Sequence, residues 1–386
     1  MQAGMFSQKL KSARSFCAKT RKFTAHACRE AREASLVICH DTSSAFPAAV
    51  AAFRARAPIA LDVSEIPDLL ERTSSYFRVL PSGLTRLLHL FDKLVGRRSV
   101  VVTASSTGFC DYASARYKRP VLQVTNYDSW NVASSSQRRS DGIVTIGWPS
   151  SFSRQTGAEL ALRALQSAPE NWRLCVCDAE PDLSDDIALG QMLAACRSNV
   201  RFLGRKPYVE YMQQLRECSV GWVLFDSGSR NLRSCLPNRF LDLVAAGVPI
   251  VSTPNESIQP ILAGTGWGEC IAYGDDRALV QATAGILGTV YSPPSQEEFQ
   301  TRAQAVSFED AYAGITVDVA DKGRPLAAIV AMRNLSSRRR ITLLAYALVK
   351  LGWRVVVICR HEGPDIAAER PEALHIQVKP HFPSTK

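Results

Sequence analysis

The stretch Leu236 to Thr253, LPNRFLDLVAAGVPIVST, states a helix, both of its ends and a following strand in one short run. Pro237 suits the first helical position, where its missing N–H costs nothing, and Gly247 suits the position just past the end. Phe240, Leu243 and Val244 fall at i, i+3 and i+4, which is one apolar face, and VPIVS then reads as a buried strand rich in β-branched residues. The run is therefore an αβ unit of a parallel sheet. Its helix start carries Asn238 and Arg239, with Asp242 one turn on. A positive helix end with free N–H groups beside a carboxylate suits a phosphate plus a ribose diol. A solvated helix face in any αβ fold is the competing reading.

Strand-like and helix-like runs alternate on both sides of this unit. Ile143 to Gly147, Trp172 to Cys177, Val200 to Leu203 and Val220 to Phe225 read as strands. Helices over Ala158 to Gln166, Ile187 to Arg197 and Tyr208 to Arg216 separate them, and Ser295 to Tyr312 reads as a closing helix. Upstream, a helix over residues 10–34 precedes strands at Leu36 to His40, Pro58 to Asp62, Ser99 to Thr103 and Pro120 to Val124. Such alternation predicts α/β domains with parallel sheets and right-handed crossovers. A chain of 386 residues holds two of them, each with its own core. The polar, Ser-rich run Asn131 to Ser140 marks the linker, which leaves Rossmann-like domains at 1–130 and 141–312.

Charge and cysteine usage narrow the partners. The formal charge of +10 favours phosphate-bearing ligands, while the lack of an aromatic RNA-binding pattern or zinc-finger spacing argues against nucleic acid. No apolar run approaches the roughly 20 residues of a membrane span. The 11 cysteines lack metal-ligand spacing and read as reduced thiols of a cytoplasmic protein. Met1 to Arg32 is basic, with no acid before Glu30. A helix lying on an anionic membrane surface, peripheral at its inner face, and a plain solvated helix account for it equally well.

The run from Pro237 resembles the "PNK/R-x-x-[E/D]-x-x-A-A-G-x-P-V-V" segment of retaining glycosyltransferases of family 4 (glycosyl transferases group 1). These enzymes have the GT-B architecture of two facing Rossmann-like domains. The resemblance implies a sugar transferase of polysaccharide biosynthesis. Its donor substrate would be a UDP- or GDP-sugar, its acceptor a glycan or a lipid-linked glycan, and it would hold no separate cofactor. The family's ribose-holding Glu falls on Asp242, and its partner Glu eight residues earlier falls on Ser234. Open parallel sheets bind ligands outside their carboxyl edges. On the second sheet that edge carries Gly147, Arg154 and Arg205 with Asn238 and Arg239, a supply of N–H donors and cations for a diphosphate. On the first, His40 ends a strand as the family's V-I-H-x-H-D region does, and Asp62-Val-Ser64-Glu65 resembles D-x-H-E with Ser64 in place of His. The resemblance makes His40 a proton acceptor or sugar-hydroxyl partner and Glu65 a carboxylate for acceptor hydroxyls. Asp185-Asp186 and Asp275-Asp276 lie at helix starts, where capping explains them, so no metal site is expected. A sugar-nucleotide-binding scaffold without turnover is the alternative from another class.

Beyond residue 323, Arg324 to Arg333, Arg354 to Cys359 and Leu374 to Val378 read as strands, with an amphipathic helix from Arg338 to Leu351. This βαββ run resembles the beginning of a family 4 enzyme, the part that the front of the chain lacks. A sheet starting at Leu36 would expose an apolar edge. Segment 324–386, joined through 313–323, is expected to complete it in the order of a circular permutant; a truncated tandem copy is the alternative. Arg338 to Arg340 start the tail's helix, where an anionic acceptor competes with simple solvation.

Overall fold

The computed structural model describes residues 2–65, 82–127, 142–225, 230–287, 293–316, 324–332, 339–361 and 376–382. The linker expected at Asn131 to Ser140, the residue Arg338 and the side chain of Arg230 lie outside the described set. In chain order, α1 (Gln2–Glu30) leads into β1 (Leu36–His40), α2 (Ala45–Ala55), β2 (Ile59–Val63), α3 (Ser82–Arg98), β3 (Val102–Ala104), α4 (Thr107–Tyr117) and β4 (Leu122–Gln123). There follow β5 (Val144–Trp148), α5 (Ala158–Ser167), β6 (Trp172–Val176), α6 (Ile187–Ala195), β7 (Val200–Phe202), α7 (Tyr208–Arg216), β8 (Val220–Val223) and α8 (Arg230–Ser234). Next come α9 (Asn238–Ala245), β9 (Ile250–Ser252), α10 (Gln259–Leu262), β10 (Gly268–Cys270), α11 (Asp276–Ile286) and α12 (Gln296–Ala303). Last are α13 (Phe308–Ala313), β11 (Leu326–Ala331), α14 (Arg339–Lys350), β12 (Arg354–His361) and β13 (Ile376–Phe382).

These elements form two compact units, one of residues 1–126 with 305–386 and the other of 127–304. Each is built on one parallel sheet. The first has strand order β13-β12-β11-β1-β2-β3-β4 and the second β10-β9-β8-β5-β6-β7. The strand LAAIVA of β11 is apolar on both faces, as a strand buried from both sides must be. It lies between β12 and β1, in register from Leu36 opposite Ala327 to Cys39 opposite Val330. The C-terminal segment thus covers the edge that β1 would otherwise expose.

The division differs from the expected one at α13, which was assigned to the second domain. Phe308, Ala311 and Tyr312 pack with Leu344, Ala345 and Leu348 of α14 in the core of the first unit. The chain therefore returns to that unit near residue 305, before α13 and not after it. In the second unit, Ile146, Leu174 and Val220 of the sheet pack with Leu162 and Leu165 of α5 and Leu279 of α11. The helix starts with paired acids are capped as expected: Asp186 accepts from the Leu189 N–H and Asp275 from the Ala278 N–H.

The tail is locked into the first unit by a polar clamp. Arg340, in the first turn of α14, is buried, and its Nε donates to both Asp62 carboxylate oxygens at 2.9 Å while Nη2 donates to Oδ1 at 2.6 Å. Nη1 donates to the Val124 carbonyl and to Asn126 Oδ1, and the guanidinium lies over the Phe308 ring. Asp62 also accepts from Thr103 Oγ1 at 2.6 Å and bonds His40 Nδ1 at 2.8 Å. Neither sequence-based expectation for Arg340, acceptor binding or solvation, matches this position, because its charge is satisfied inside the core. Burial alone would raise the Asp62 carboxyl, but the Arg340 guanidinium and the His40 hydrogen bond outweigh it and hold the group well below the usual carboxylate range. A depressed carboxylate contributes stability above its unfolded value of about 4, and that contribution is lost as the pH falls below it. Arg340→Met strands the Asp62 charge and is expected to lower stability by about 3–5 kcal/mol in urea denaturation at neutral pH, with the deficit narrowing on acidification. An unchanged unfolding midpoint would show the clamp to be dispensable.

Candidate functional site

The αβ unit of the second sheet forms as the sequence indicates, one residue later. Pro237 is extended at the N-cap (φ −77°, ψ 144°), α9 starts at Asn238, and the Pro237 carbonyl takes the N–H groups of Phe240 and Leu241. The helix ends at Gly247 with φ 72°, a left-handed conformation that glycine adopts without strain. A Cβ at Gly221 in β8 would stand 2.4 Å from Leu243 Cδ1, so strand and helix pack this closely only because β8 has no side chain there. That packing sets the start of α9 beside the carboxyl end of β8.

Arg239 is the cation this arrangement isolates. Its side chain is 9% exposed, with Nη2 donating to the Leu224 carbonyl at 2.9 Å and the guanidinium 4.1 Å from the centre of the Phe225 ring. Burial pushes its ionisation down to about 10, opposed only by Cys235, and it stays charged at neutral pH. Among the described residues no carboxylate pairs with it. A desolvated guanidinium with unspent N–H donors, at the N-terminus of a helix, is an anion-binding group.

The other expected diphosphate ligands are engaged elsewhere. Arg154 donates to both Asp186 oxygens at 2.6 and 2.9 Å and to Glu159, which neutralises its charge on the surface. Arg205 pairs in the open with Asp178 at 2.7 Å. Gly147 has a packing reason, since a Cβ there would meet Cys218 Sγ at 3.1 Å. Asn238 is exposed in the first turn of α9. Asp242 is buried, accepting the Tyr211 hydroxyl at 3.0 Å and the Tyr208 hydroxyl at 3.3 Å. That Tyr208 and Tyr211 both meet Asp242 was outside the reach of sequence pattern because they lie on a different helix. Glu256 was missed for the same reason: its carboxylate accepts the Ser234 hydroxyl at 2.7 Å, bringing an acid to the position where the sequence lacks one.

On the first sheet, the carboxyl ends of β1 and β2 are joined by hydrogen bonds. His40 is 1% exposed, with Nδ1 on Asp62 and Nε2 3.5 Å from Asp41 Oδ2. Its ring is thus interior, which fits holding neighbours in place better than meeting a substrate. Asp41 has φ 63° and ψ 160°, a region essentially reserved for glycine. Two bonds hold it there, from the Ser64 N–H at 2.9 Å and the Ser64 hydroxyl at 2.6 Å to Oδ1. Ser64, standing where the family has His, therefore anchors Asp41. Glu65 follows, half-buried and engaged at the end of the described segment.

The chain has the GT-B fold of glycosyltransferases. It is similar to HepE of Anabaena solved with UDP, at 16% identity and a TM-score of 0.57 over 72% of this chain and 78% of that one. The same protein solved with UDP-glucose matches at 16% identity and a TM-score of 0.53, covering 72% and 78%. Sucrose-phosphate synthase of Thermosynechococcus elongatus matches at 12% identity and a TM-score of 0.53, covering 72% and 71%. No family model matches the sequence. No curated protein matches it either.

The buried carboxylate of Asp242 depends on its phenolic donors. Tyr211→Phe, which removes the shorter bond, is expected to lower stability by about 1–3 kcal/mol in thermal or urea unfolding, because a buried charged acceptor loses a partner.

Proposed function

We propose that the protein is a glycosyltransferase that moves a sugar, with retention, from a UDP- or GDP-sugar to a glycan or lipid-linked acceptor. The observation that carries this is Arg239, a buried guanidinium without a carboxylate partner among the described residues, at the start of α9 in a GT-B fold. The diphosphate of the donor would complete its charge at the positive N-terminal end of α9, where Asn238 stands. The developing charge on the leaving phosphate would be stabilised by the same groups. Arg154 and Arg205 could join only by leaving Asp186, Glu159 and Asp178, so they are secondary in this assignment. Asp242 takes the ribose diol by exchanging its longer bond to Tyr208. Glu256 supplies, through its contact with Ser234, the carboxylate that the family places beside the transferred sugar.

On the first unit, Glu65 is assigned to the acceptor hydroxyls. His40 is assigned to positioning, since its ring is interior. The parallel pairing of β11 with β1 supports a circularly permuted GT-B order over a truncated tandem copy.

Titration calorimetry with UDP and GDP tests the donor site. Arg239→Met is expected to weaken nucleotide binding about ten-fold or more, the loss of a charge-assisted contact, while Arg154→Met leaves it within a factor of about two. Equal affinity of Arg239→Met and the unaltered protein would remove the site. Turnover against a panel of UDP- and GDP-sugars tests the activity, and the anomeric configuration of the product, read by NMR, tests retention. Glu256→Gln is expected to lower kcat about ten-fold with nucleotide affinity unchanged, because its contact is to the sugar and not to the diphosphate. Nucleotide binding with no transfer for any donor would leave a sugar-nucleotide-binding scaffold in place of the enzyme.

A further inference from the structure

The face of the first unit formed by α1, α2 and α3 has two features that donor chemistry does not use. The first is an apolar groove with a cavity of about 480 Å³ between the three helices, walled by Phe16, Phe46, Val50, Leu84, Leu88 and Phe91. The second is a stripe of leucines on the outer side of α3. Leu87, Leu90 and Leu94 recur at i, i+3 and i+7 and are exposed, Leu90 at 53%, and Phe53 on α2 is 84% exposed. Leu87 also borders the groove, so the apolar surface runs continuously from the cavity onto the open face. Large apolar side chains gathered on one face mark an interaction surface, whereas single ones do not.

Charge identifies what the surface fits. Arg86, Lys93 and Arg97 are exposed on α3 beside the leucines, and Arg21 and Arg54 stand in the wall of the groove. Neither Arg21 nor Arg54 has a carboxylate partner among the described residues. α2 contains no acid, and the single acid of α3, Asp92, is buried on the inner side with Thr42, Arg116 and Tyr117. An apolar stripe bordered, among the described residues of α2 and α3, by exposed cations suits the interface of an anionic bilayer, where leucines enter the acyl boundary and guanidiniums meet headgroup phosphates. A second copy of this chain would bring like charge against like in a protein of net charge +10. Among the described residues no helix is long and apolar enough to cross a membrane, so contact of this kind would lie on the surface.

We propose that the α1–α2–α3 face docks on an anionic membrane surface, with Leu87, Leu90 and Leu94 inserted at the headgroup boundary and the neighbouring groove receiving an acyl chain. Docking depends on neither the nucleotide site nor turnover.

The test is co-sedimentation of the full chain with vesicles of phosphatidylcholine, with and without phosphatidylglycerol, at two salt concentrations. Binding is expected to the anionic vesicles only and to weaken with salt. The triple variant Leu87→Ser, Leu90→Ser, Leu94→Ser and, separately, the double variant Arg54→Glu, Lys93→Glu should each lose affinity about ten-fold or more. All five positions are exposed, so unchanged urea unfolding midpoints are expected for both variants, and the charge variant decides the matter if the leucine variant alone unfolds. Equal binding of either folded variant, or equal binding to neutral vesicles, overturns the proposal. So does a dimer in size-exclusion chromatography that the leucine variant converts to monomer, which would make the face a contact between copies.

Discussion

The buried pairing of Arg340 with Asp62 is the contact on which the first unit depends. It joins α14 to β2, with Thr103 of β3, Val124 and Asn126 bound to the same two side chains. Two ions taken out of water are stable only when their remaining hydrogen-bonding capacity is filled. Here the fork of the guanidinium and both carboxylate oxygens are occupied, and Phe308 covers the flat face. Because the partners are 278 residues apart in sequence, the clamp ties the C-terminal part of the unit to its front. The strands β11, β12 and β13 are therefore an integral part of the first sheet, with β11 beside β1 and the clamp at the carboxyl ends of the strands.

The same clamp organises the polar edge above it. Asp62 orients His40, and the Ser64 bonds at the end of β2 hold Asp41 in a backbone conformation that it would otherwise leave. Strain of this kind persists only where surrounding contacts over-determine it. The second unit uses a different device. There a missing side chain at Gly221 lets α9 close on β8, which buries Arg239 against Phe225 and leaves its charge without a protein counterion among the described residues. The two sheets thus present unlike chemistry at their carboxyl ends: paired charges on the first and a cation without a carboxylate partner among the described residues on the second.

Several features were legible in the sequence because they are local. The helix from Asn238, its glycine stop at Gly247 and the strand after it follow from side-chain periodicity and from the backbone freedom of glycine. The alternation of strands and helices, and hence two parallel sheets, follows from the same local signals, as does the apolar edge of β1 that required another strand. The Asp pairs at helix starts read correctly as caps because a cap reaches only three residues.

The partners of charged side chains were decided by tertiary structure alone. Nothing near Arg154 in the motif signals that Asp186 will hold it, nothing near Arg340 points to Asp62, and nothing near Ser234 points to Glu256. Charges of one type look identical along a chain, and whether one is a ligand, a clamp or a surface pair depends on which opposite charge folding brings within about 3 Å and on how much water remains there. The sequence by itself determined the alternation of helices and strands and hence that the two sheets are parallel, because those signals are local; only the packed structure split the expected helix Ser295 to Tyr312 into α12 and α13 and decided which of the cations remain available to an anion.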